Sequence, residues 1–387
     1  MEKVKLPSIC EIIMGQSPKG DSYNSNKEGY PLLNGAADYK GQNFNPKKFT
    51  TKPTKLTEKG DVIFGIRATI GNFAFADKQF CIGRGIAALR VNEDKAEKNY
   101  IIRIVKNELS KIIHRAAGST IKGIKKEDLT EMLINLPPLP TQKKIASILD
   151  EADTLRQLNK QLITKYDALT QSLFLEMFGD PVANPMGWEK VELNEVTNKI
   201  GSGSTPRGGK ESYREHGISL IRSLNIYDNK FKYEKLAHIS DEQAEKLKNV
   251  IVEENDVLFN ITGASICRST IVPKDVLPAR VNQHVSILRP KKGKLNPLFL
   301  SHFLISENVK NKLLGVGLGG GAVMQAITKQ QLIALEVLIP PINLQNQFAE
   351  RVAVIEQQKA QAQQSLQKSE DLFNSLLQNA FKGELVK

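Results

Sequence analysis

An internal repeat constrains this chain more than any other sequence feature. Residues 118–178 align with residues 321–381 without a gap, and Leu136-Pro137-Pro138-Leu139 falls on Ile339-Pro340-Pro341-Ile342. The period of roughly 200 residues is far longer than the unit of a solenoid, which runs to about 20–50 residues. The N-terminal parts of the two halves match only loosely. The repeat therefore predicts a duplicated domain, each copy followed by a duplicated helix.

The two proline pairs predict the start of two long helices. Neither Gly nor Pro occurs from Gln142 to Phe178, which allows a helix of roughly 37 residues and about 55 Å. A second helix of the same length follows Pro340-Pro341. Two such helices most simply pack on each other, and antiparallel packing would relate the two halves by a pseudo-twofold axis. The alternative is that each helix packs only on its own domain.

Heptad spacing predicts which side chains form the seam between these helices. One series in the first helix and a companion series three residues later contain apolar residues, which is typical of a coiled coil. The polar Asn159 in this seam is expected to fix the register. The first helix offers Ile145, Ala152, Asn159, Tyr166 and Leu173, with Ile148, Leu155, Leu162, Leu169 and Glu176. The second offers Phe348, Val352, Ile355, Ala362, Leu366, Phe373, Leu376 and Ala380.

Turn signals and short β-branched runs at the start of each half predict β-rich domains with irregular loops. A shorter helix should follow in each, over Tyr100–Ala117 and from Pro297 to Leu314. The predicted class is α+β, with domains at 1–140 and 188–344, long helices at 141–178 and 345–387, and a linker at 179–187.

The net charge of +12 lies in the two predicted β-rich domains rather than in the helices. Basic charge concentrated on a folded module is typical of nucleic-acid binding, although ordinary solubility charge remains an alternative. The three cysteines show no CxxC pair, which favours a reducing compartment without disulfides. No signal peptide or membrane span is recognisable, so a cytoplasmic location is expected.

Catalytic motifs are absent from the sequence. The segment from Gly203 to Lys210 departs from a phosphate-binding loop because an extra glycine intervenes and Glu211 follows the lysine. The five histidines have no metal-ligand spacing. We therefore predict no catalytic residue and no metal ligand.

Polar and basic side chains in the loops of both domains could contact DNA bases and phosphates. The alternative is that these residues simply close turns. The candidates in the first domain are Gln16, Ser17, Lys19, Arg67, Thr69 and Arg84. Those in the second are Ser204, Thr205, Arg207, Lys210, Thr262, Ser265, Arg268, Asn282, Gln283 and His284.

These features together resemble the specificity subunit of Type I restriction–modification enzymes. The most specific motif is (L/I)PP(L/I)xxQxxxA, which occurs at residues 136–146 and again at 339–349. The segment MFGDPxxNPxGW at residues 177–188 also matches. Each half further begins with GxxP and polar loops and contains a D-V-(I/L)-F strand.

The resemblance implies two target-recognition domains, each reading half of a split site in double-stranded DNA, and an antiparallel coiled coil that sets their spacing. It implies two modification subunits that use S-adenosylmethionine, and allows two restriction subunits that use ATP and Mg. The chain itself would be non-catalytic and hold no cofactor. Two alternatives stay open: a nuclease or methyltransferase with an unrecognised active site, and a coiled-coil adaptor that does not bind DNA.

Overall fold

The computed structural model describes residues 2–67, 70–115, 123–206, 209–315 and 326–386. The chain forms two compact units. The first unit comprises Met1–Asn159 and Gln364–Lys387, and the second comprises Lys160–Gln363. Each unit therefore contains one β-rich domain together with part of each long helix, so the helices belong to both units.

The first unit contains twelve strands in its described residues, and they include two four-stranded sheets, of order β2-β11-β8-β9 and β10-β4-β7-β3. Core residues lie on both faces of the first of these sheets. The strands and helices are β1 Glu2–Lys5, β2 Cys10–Met14, β3 Tyr23–Asn24, β4 Tyr30–Leu33, β5 Tyr39–Lys40, β6 Asn43–Phe44, β7 Lys48–Thr50, β8 Val62–Gly65, β9 Phe73–Phe75, β10 Cys81–Ile82, β11 Ile86–Val91, α1 Lys98–Arg115, α2 Lys126–Thr130, β12 Leu133–Leu136 and α3 Leu139–Phe178, the last of which continues into the second unit.

The second unit repeats this plan. Its elements are β13 Lys190–Glu192, β14 Thr197–Ser202, β15 Ile218–Ile221, β16 Ile226–Tyr227, β17 Lys230–Phe231, β18 Ala237–Ile239, α4 Asp241–Glu245, β19 Ile251–Val252, β20 Val257–Asn260, β21 Ser269–Ile271, β22 Ala279–Val281, β23 Val285–Pro290, α5 Pro297–Ile305, α6 Glu307–Leu314, α7 Lys329–Ile333, β24 Glu336–Leu338 and α8 Ile342–Lys382, the last of which continues into the first unit.

The sheets show which parts of the duplication are constant. The sheet β14-β23-β20-β21 has the same order and antiparallel pairing as β2-β11-β8-β9, and the pair β13-β24 corresponds to β1-β12. The other sheet differs in part. Both versions contain one parallel pair, β10-β4 or β15-β22, but β10 is an edge strand whereas β15 and β22 are both central. The α+β class and the repeat are therefore confirmed.

The long helices begin slightly before the predicted residues. α3 has 40 residues and α8 has 41, and both start directly after the proline pair. The proline in the first turn of α3 is tolerated because its missing N–H would have no partner within the helix. The shorter helices differ more. α1 begins at Lys98, and residues 116–117 lie outside the described part of the chain.

The predicted single helix from Pro297 to Leu314 is wrong, because it is divided into α5 and α6. Ser306 adopts an extended backbone with φ −60° and ψ 140°, and its hydroxyl donates to the Phe303 carbonyl. The break separates the apolar α5, most of which is buried, from the more polar α6.

A buried glutamine fastens the start of each long helix. Gln142 Oε1 accepts from the Glu97 backbone N–H, and its Nε2 donates to the carbonyls of Lys95 and Pro137. Gln345 accepts from Asn296 N–H and donates to the Lys294 and Pro340 carbonyls. We call this arrangement the glutamine clamp. It explains the glutamine of the repeated motif, since the side chain satisfies backbone groups that burial would otherwise leave unpaired.

Within the first unit, α3 and α8 run antiparallel. The Arg156 guanidinium lies 4.4 Å from the centroid of the Phe373 ring, and one turn further along α3 Asn159 Nδ2 lies 3.4 Å from Ser369 Oγ. Ile145, Leu149 and Phe373 share one hydrophobic core. Asn159 thus lies between the two helices, as the heptad spacing predicted, and contacts Ser369.

Within the second unit, the helices again run antiparallel. Lys359 Nζ on α8 lies 2.6 Å from the Asp167 carboxylate on α3. Further along α3, Phe174 and Phe178 pack against Phe348 near the start of α8, at centroid distances of 5.6 and 5.4 Å.

The predicted companion series on α3 is wrong. Leu155, Leu162 and Leu169 are 48%, 40% and 49% exposed. The series that turns inward lies four residues after the first series rather than three, and it consists of Leu149, Arg156, Ile163, Thr170 and Met177. The prediction chose the wrong face because leucines usually indicate burial, whereas the face that is buried here contains an arginine and a threonine. The first series and the predicted residues of α8 are buried or half-buried, as expected.

A buried ion pair fixes the same strands in each unit. The Asp61 carboxylate accepts from Arg90 Nη2 at 3.0 Å, and the Asp256 carboxylate accepts from Arg289 Nε at 2.7 Å. Both carboxylates also accept from a backbone N–H, that of Glu58 or Glu253. The aspartate of each D-V-(I/L)-F motif therefore serves folding.

Among the described residues, no helix has the length and apolar character that crossing a membrane requires.

Candidate nucleic-acid interface

The glycine of each GxxP motif allows two loops to approach closely. A Cβ on Gly15 would lie 2.2 Å from the Gly83 carbonyl oxygen, and one on Gly203 would lie 1.8 Å from that of Val281. These distances exclude any side chain. The glycines therefore bring the polar loop after β2 or β14 against the loop that precedes β11 or β23.

In the first unit three loops meet at this point. Gln16 N–H donates to the Ile82 carbonyl at 2.9 Å, and Ile66 N–H donates to the Gly85 carbonyl at 3.0 Å. Arg84 N–H reaches Ser17 Oγ at 3.5 Å. The segments around residues 16–19, 66–67 and 83–85 thus form one surface, which we call the first loop cluster.

The predicted side chains of the first loop cluster are available to a ligand. Gln16, Lys19, Arg67 and Arg84 are exposed, and none of them forms an ion pair with another described residue. Ser17 is half-buried and supports the loop of Arg84. Thr69 lies outside the described residues.

The second unit contains the corresponding cluster. Gly203 N–H donates to the Asn282 carbonyl at 3.2 Å, and Ile261 N–H donates to the His284 carbonyl at 3.0 Å. Side chains add a hydrogen-bonded chain: Thr205 bonds to Gln283, Gln283 Nε2 lies 3.2 Å from His284 Nε2, and His284 Nδ1 lies 2.6 Å from Thr262 Oγ1. These segments form the second loop cluster.

Two residues predicted to touch DNA instead support the second loop cluster. Asn282 is only 5% exposed, and its side-chain oxygen accepts from His284 N–H at 3.1 Å. Ser265 Oγ accepts from the buried Asn260 at 3.1 Å. Both side chains close turns, which was the alternative interpretation of such residues.

The remaining predicted residues fall in different places. Ser204 is exposed beside Thr205. Lys210 lies in the turn Gly209–Ser212, although its side chain and the whole of Arg207 lie outside what the structure describes. Arg268 is half-buried, with its guanidinium 4.4 Å from the centroid of the exposed Tyr227 ring.

Sequence reasoning missed the aromatic residues that hold basic groups in the second unit. Lys232 Nζ also lies near Tyr227, at 5.8 Å from the ring centroid, and the Arg222 guanidinium lies 5.0 Å from that of Tyr213. Aromatic rings and arginines can both stack on nucleic-acid bases. The tyrosines interspersed with Lys and Arg over residues 213–235 could have indicated this surface.

Metal chemistry has no support in the part of the chain that the structure describes, where no group of three or more His, Cys, Asp or Glu residues could hold an ion. The three cysteines are buried. Burial raises the pKa of Cys10 to about 12 and that of Cys267 to about 11. Both sulfurs are thus protonated near neutral pH and unsuited to nucleophilic attack or metal ligation.

The family model for the Type I restriction modification DNA specificity domain matches residues 1–165 and 185–368. The chain belongs to this family. The two matched segments coincide with the two halves of the internal repeat, so each half is one copy of the specificity domain.

Individual members of this family match either the whole chain or one part of it. The EcoBI specificity subunit of Escherichia coli is 25% identical over 422 residues, covering 99% of this chain and 86% of the relative. The putative MjaX specificity subunit of Methanocaldococcus jannaschii is 36% identical over 151 residues, covering 39% of this chain and 36% of the relative.

Solved structures share the fold. A structure described as the basis of complex assembly and conformational transition of the type I R-M system has a TM-score of 0.65 and 21% identity, covering 99% of this chain and 98% of that chain. The S subunit of a Type I restriction–modification system from M. genitalium gives 0.56 and 17%, covering 98% and 96%.

Proposed function

We propose that this chain is the DNA-sequence recognition subunit of a Type I restriction–modification complex. The observation that carries this proposal is the pair of loop clusters, which share the backbone bond donated by Ile66 or Ile261 but differ in their side chains. A duplicated frame with divergent polar loops suits two related but unequal DNA half-sites. The family membership supports the same function.

Each loop cluster would bind one half-site, and basic residues around it would supply phosphate contacts. Lysine and arginine contacts to phosphate release counterions, so affinity should fall steeply with salt. A protein with two equivalent readers should place the half-sites about one helical turn apart on one face of the duplex. The target-recognition domains would correspond to residues 1–140 and 188–344.

The long helices would set the spacing of the readers and dock the other subunits. The leucines that turned out to be exposed on α3 support this role, since an apolar face left open on a helix is typical of an interaction surface. Leu155 and Leu158 are exposed within the first unit, and Leu162, Leu169 and Leu175 within the second. Contact of Asn159 with Ser369 would hold the helix register within the first unit.

Chemistry would reside on partners rather than on this chain. The relatives are named as specificity subunits of Type I restriction enzymes. We propose two modification subunits that use S-adenosylmethionine and, where restriction is present, two restriction subunits that use ATP and Mg. The chain would bind none of these cofactors, and the complex would work in the cytoplasm.

Methylation mapping of the host genome, with and without this gene, tests the proposal. We expect deletion to abolish methylation at a bipartite motif, and reintroduction of the gene to restore it. An unchanged methylome would refute the proposal.

Two further measurements separate the alternatives. Cleavage or methylation of DNA by the purified chain alone, with metal or methyl donor, would support a catalytic role. Failure of the chain to bind any duplex at any salt concentration, even with modification subunits present, would support an adaptor.

A further inference from the structure

The two loop clusters place different side chains at equivalent positions. Arg84 and Gln283 each precede the residue whose carbonyl accepts from Ile66 or Ile261. Arg67 and Thr262 each follow that isoleucine. The shared backbone bonds thus make Arg84 the counterpart of Gln283 and Arg67 the counterpart of Thr262.

In the first loop cluster both guanidinium groups lack an ion-pair partner among the described residues. Arg67 and Arg84 are exposed and form no ion pair with described residues. The other arginines of the first unit whose side chains the structure describes all form ion pairs, namely Arg90, Arg103 and Arg156. A free guanidinium presents a fork of N–H donors, and the major-groove edge of guanine presents two acceptors, O6 and N7.

In the second loop cluster the corresponding side chains are neutral and held in place. One proton arrangement satisfies all three contacts: Thr205 donates to Gln283 Oε1, Gln283 Nε2 donates to His284 Nε2, and His284 Nδ1 donates to Thr262 Oγ1. Gln283 then retains one N–H donor and one oxygen lone pair. A paired donor and acceptor matches the N6 and N7 positions of adenine.

We infer that the first unit reads a guanine through Arg67 or Arg84, whereas the second unit reads an adenine through Gln283. This inference rests on the proposed function and specifies the base class for each unit. It follows from the chemistry of equivalent positions: two cations suit a pair of acceptors, and a carboxamide suits a donor next to an acceptor.

Methylation mapping of cells that express the complete complex tests this assignment. We expect Arg84→Ala or Arg67→Ala to relax the motif at a guanine in one half-site by roughly 5- to 150-fold, the range for loss of one bidentate base contact. Gln283→Ala should relax an adenine in the other half-site. Lys106→Ala, at an exposed cation on α1 outside both loop clusters, is the matched control.

A binding measurement with modified DNA keeps the test valid for variants that assemble poorly. For the purified wild-type complex, replacing that guanine by 7-deazaguanine removes the N7 acceptor and should weaken binding. Arg84→Ala or Arg67→Ala should no longer respond to this replacement.

The inference is overturned if neither arginine variant changes base preference, if the affected base is not guanine, or if 7-deazaguanine has no effect on the wild type. These outcomes differ from failure of the proposed function, in which deletion of the gene would leave the genomic methylation pattern unchanged.

Discussion

Arg103 in the first unit and His302 in the second occupy the same place in the repeated frame. The glutamine clamp fixes the comparison, because it holds Glu97 N–H in one unit and Asn296 N–H in the other. Arg103 forms ion pairs with Asp150 and Asp153 and lies over the Phe373 ring, at 5.4 Å from its centroid. His302 instead lies among aromatic rings, 5.2 Å from that of Phe348, and its Nε2 is 3.0 Å from Asn229 Nδ2.

The difference shows that one backbone frame can accept either a charged or a neutral side chain at the same position. In the first unit carboxylates balance the arginine. In the second unit burial, together with the positive charge of Lys359, lowers the pKa of His302 to about 4. The frame is thus maintained by the clamp and the Arg–Asp pair, whereas the packing beside the long helices is free to diverge.

The largest expected effect comes from breaking the Arg–Asp ion pair that occurs at equivalent positions in the two units. Arg289→Ala leaves the fully buried Asp256 carboxylate without its cation, and removal of one partner from a buried pair costs about 3–5 kcal/mol. Arg90→Ala should cost less, because Arg90 is 31% exposed against 19% for Arg289. Hydrogen exchange in β20 and β23, compared with β8 and β11, measures the two effects.

Arg351→Ala is the control for this comparison, because Arg351 is exposed on α8. Equal protection in Arg289→Ala and the control would contradict the structural role assigned to the pair.

The His302 environment predicts a pH dependence confined to the second unit. In the unfolded chain the His302 side chain binds a proton near pH 6.5, whereas in the folded chain it binds one only near pH 4. The contribution of His302 to the free energy of unfolding is therefore fully present above pH 6.5. As the pH falls towards 4 this contribution is lost, which lowers the free energy of unfolding by on the order of 3 kcal/mol. Fluorescence of Trp188, the single tryptophan, reports unfolding of the core that contains it.

His302→Phe should flatten this slope between pH 6.5 and 4, whereas His216→Phe, at an exposed position, should preserve it. A slope that His302→Phe leaves unchanged would show that other groups control the acid response.

The smallest effect is expected from the glutamine clamp, and it should be similar in the two units. Gln142→Glu and Gln345→Glu each replace an amide that donates to two carbonyls with a group that donates to none when ionised. Leaving buried carbonyls unpaired costs about 1–3 kcal/mol. Thermal unfolding measures the loss, with Gln157→Glu on the exposed face of α3 as control. If only one of the two variants unfolds at a lower temperature than the wild type, the two clamps are not equivalent.

The repeat and its prolines predicted the long helices closely, because the proline pairs act locally and the second copy confirms the first. The seam was harder to predict. Leu155, Leu162 and Leu169 have the residue type of a buried seam, yet the structure exposes them and turns Arg156 and Thr170 inward. Residue type alone could not separate a face that packs within the chain from one that stays exposed.

The loop clusters show the same limit at the candidate site. Their glycines and polar residues were recognisable, but Asn282 and Ser265 support loops that only the folded chain brings together. Tyrosines interspersed with Lys and Arg over residues 213–235 were a signal for the surface beside Arg222 and Arg268, but which ring each guanidinium stacks on depends on contacts between segments separated in the sequence.

The sequence by itself determined the duplicated plan, the α+β class, the two long helices and the family, because the repeat, the prolines and the motifs are recognisable from residue order without knowledge of any tertiary contact. The tertiary structure alone decided which helix face is buried, how Arg84 and Gln283 come to hold equivalent places, and which polar side chains are already bonded to their neighbours. Those outcomes depend on contacts between distant segments, whose geometry is fixed only when the whole domain packs.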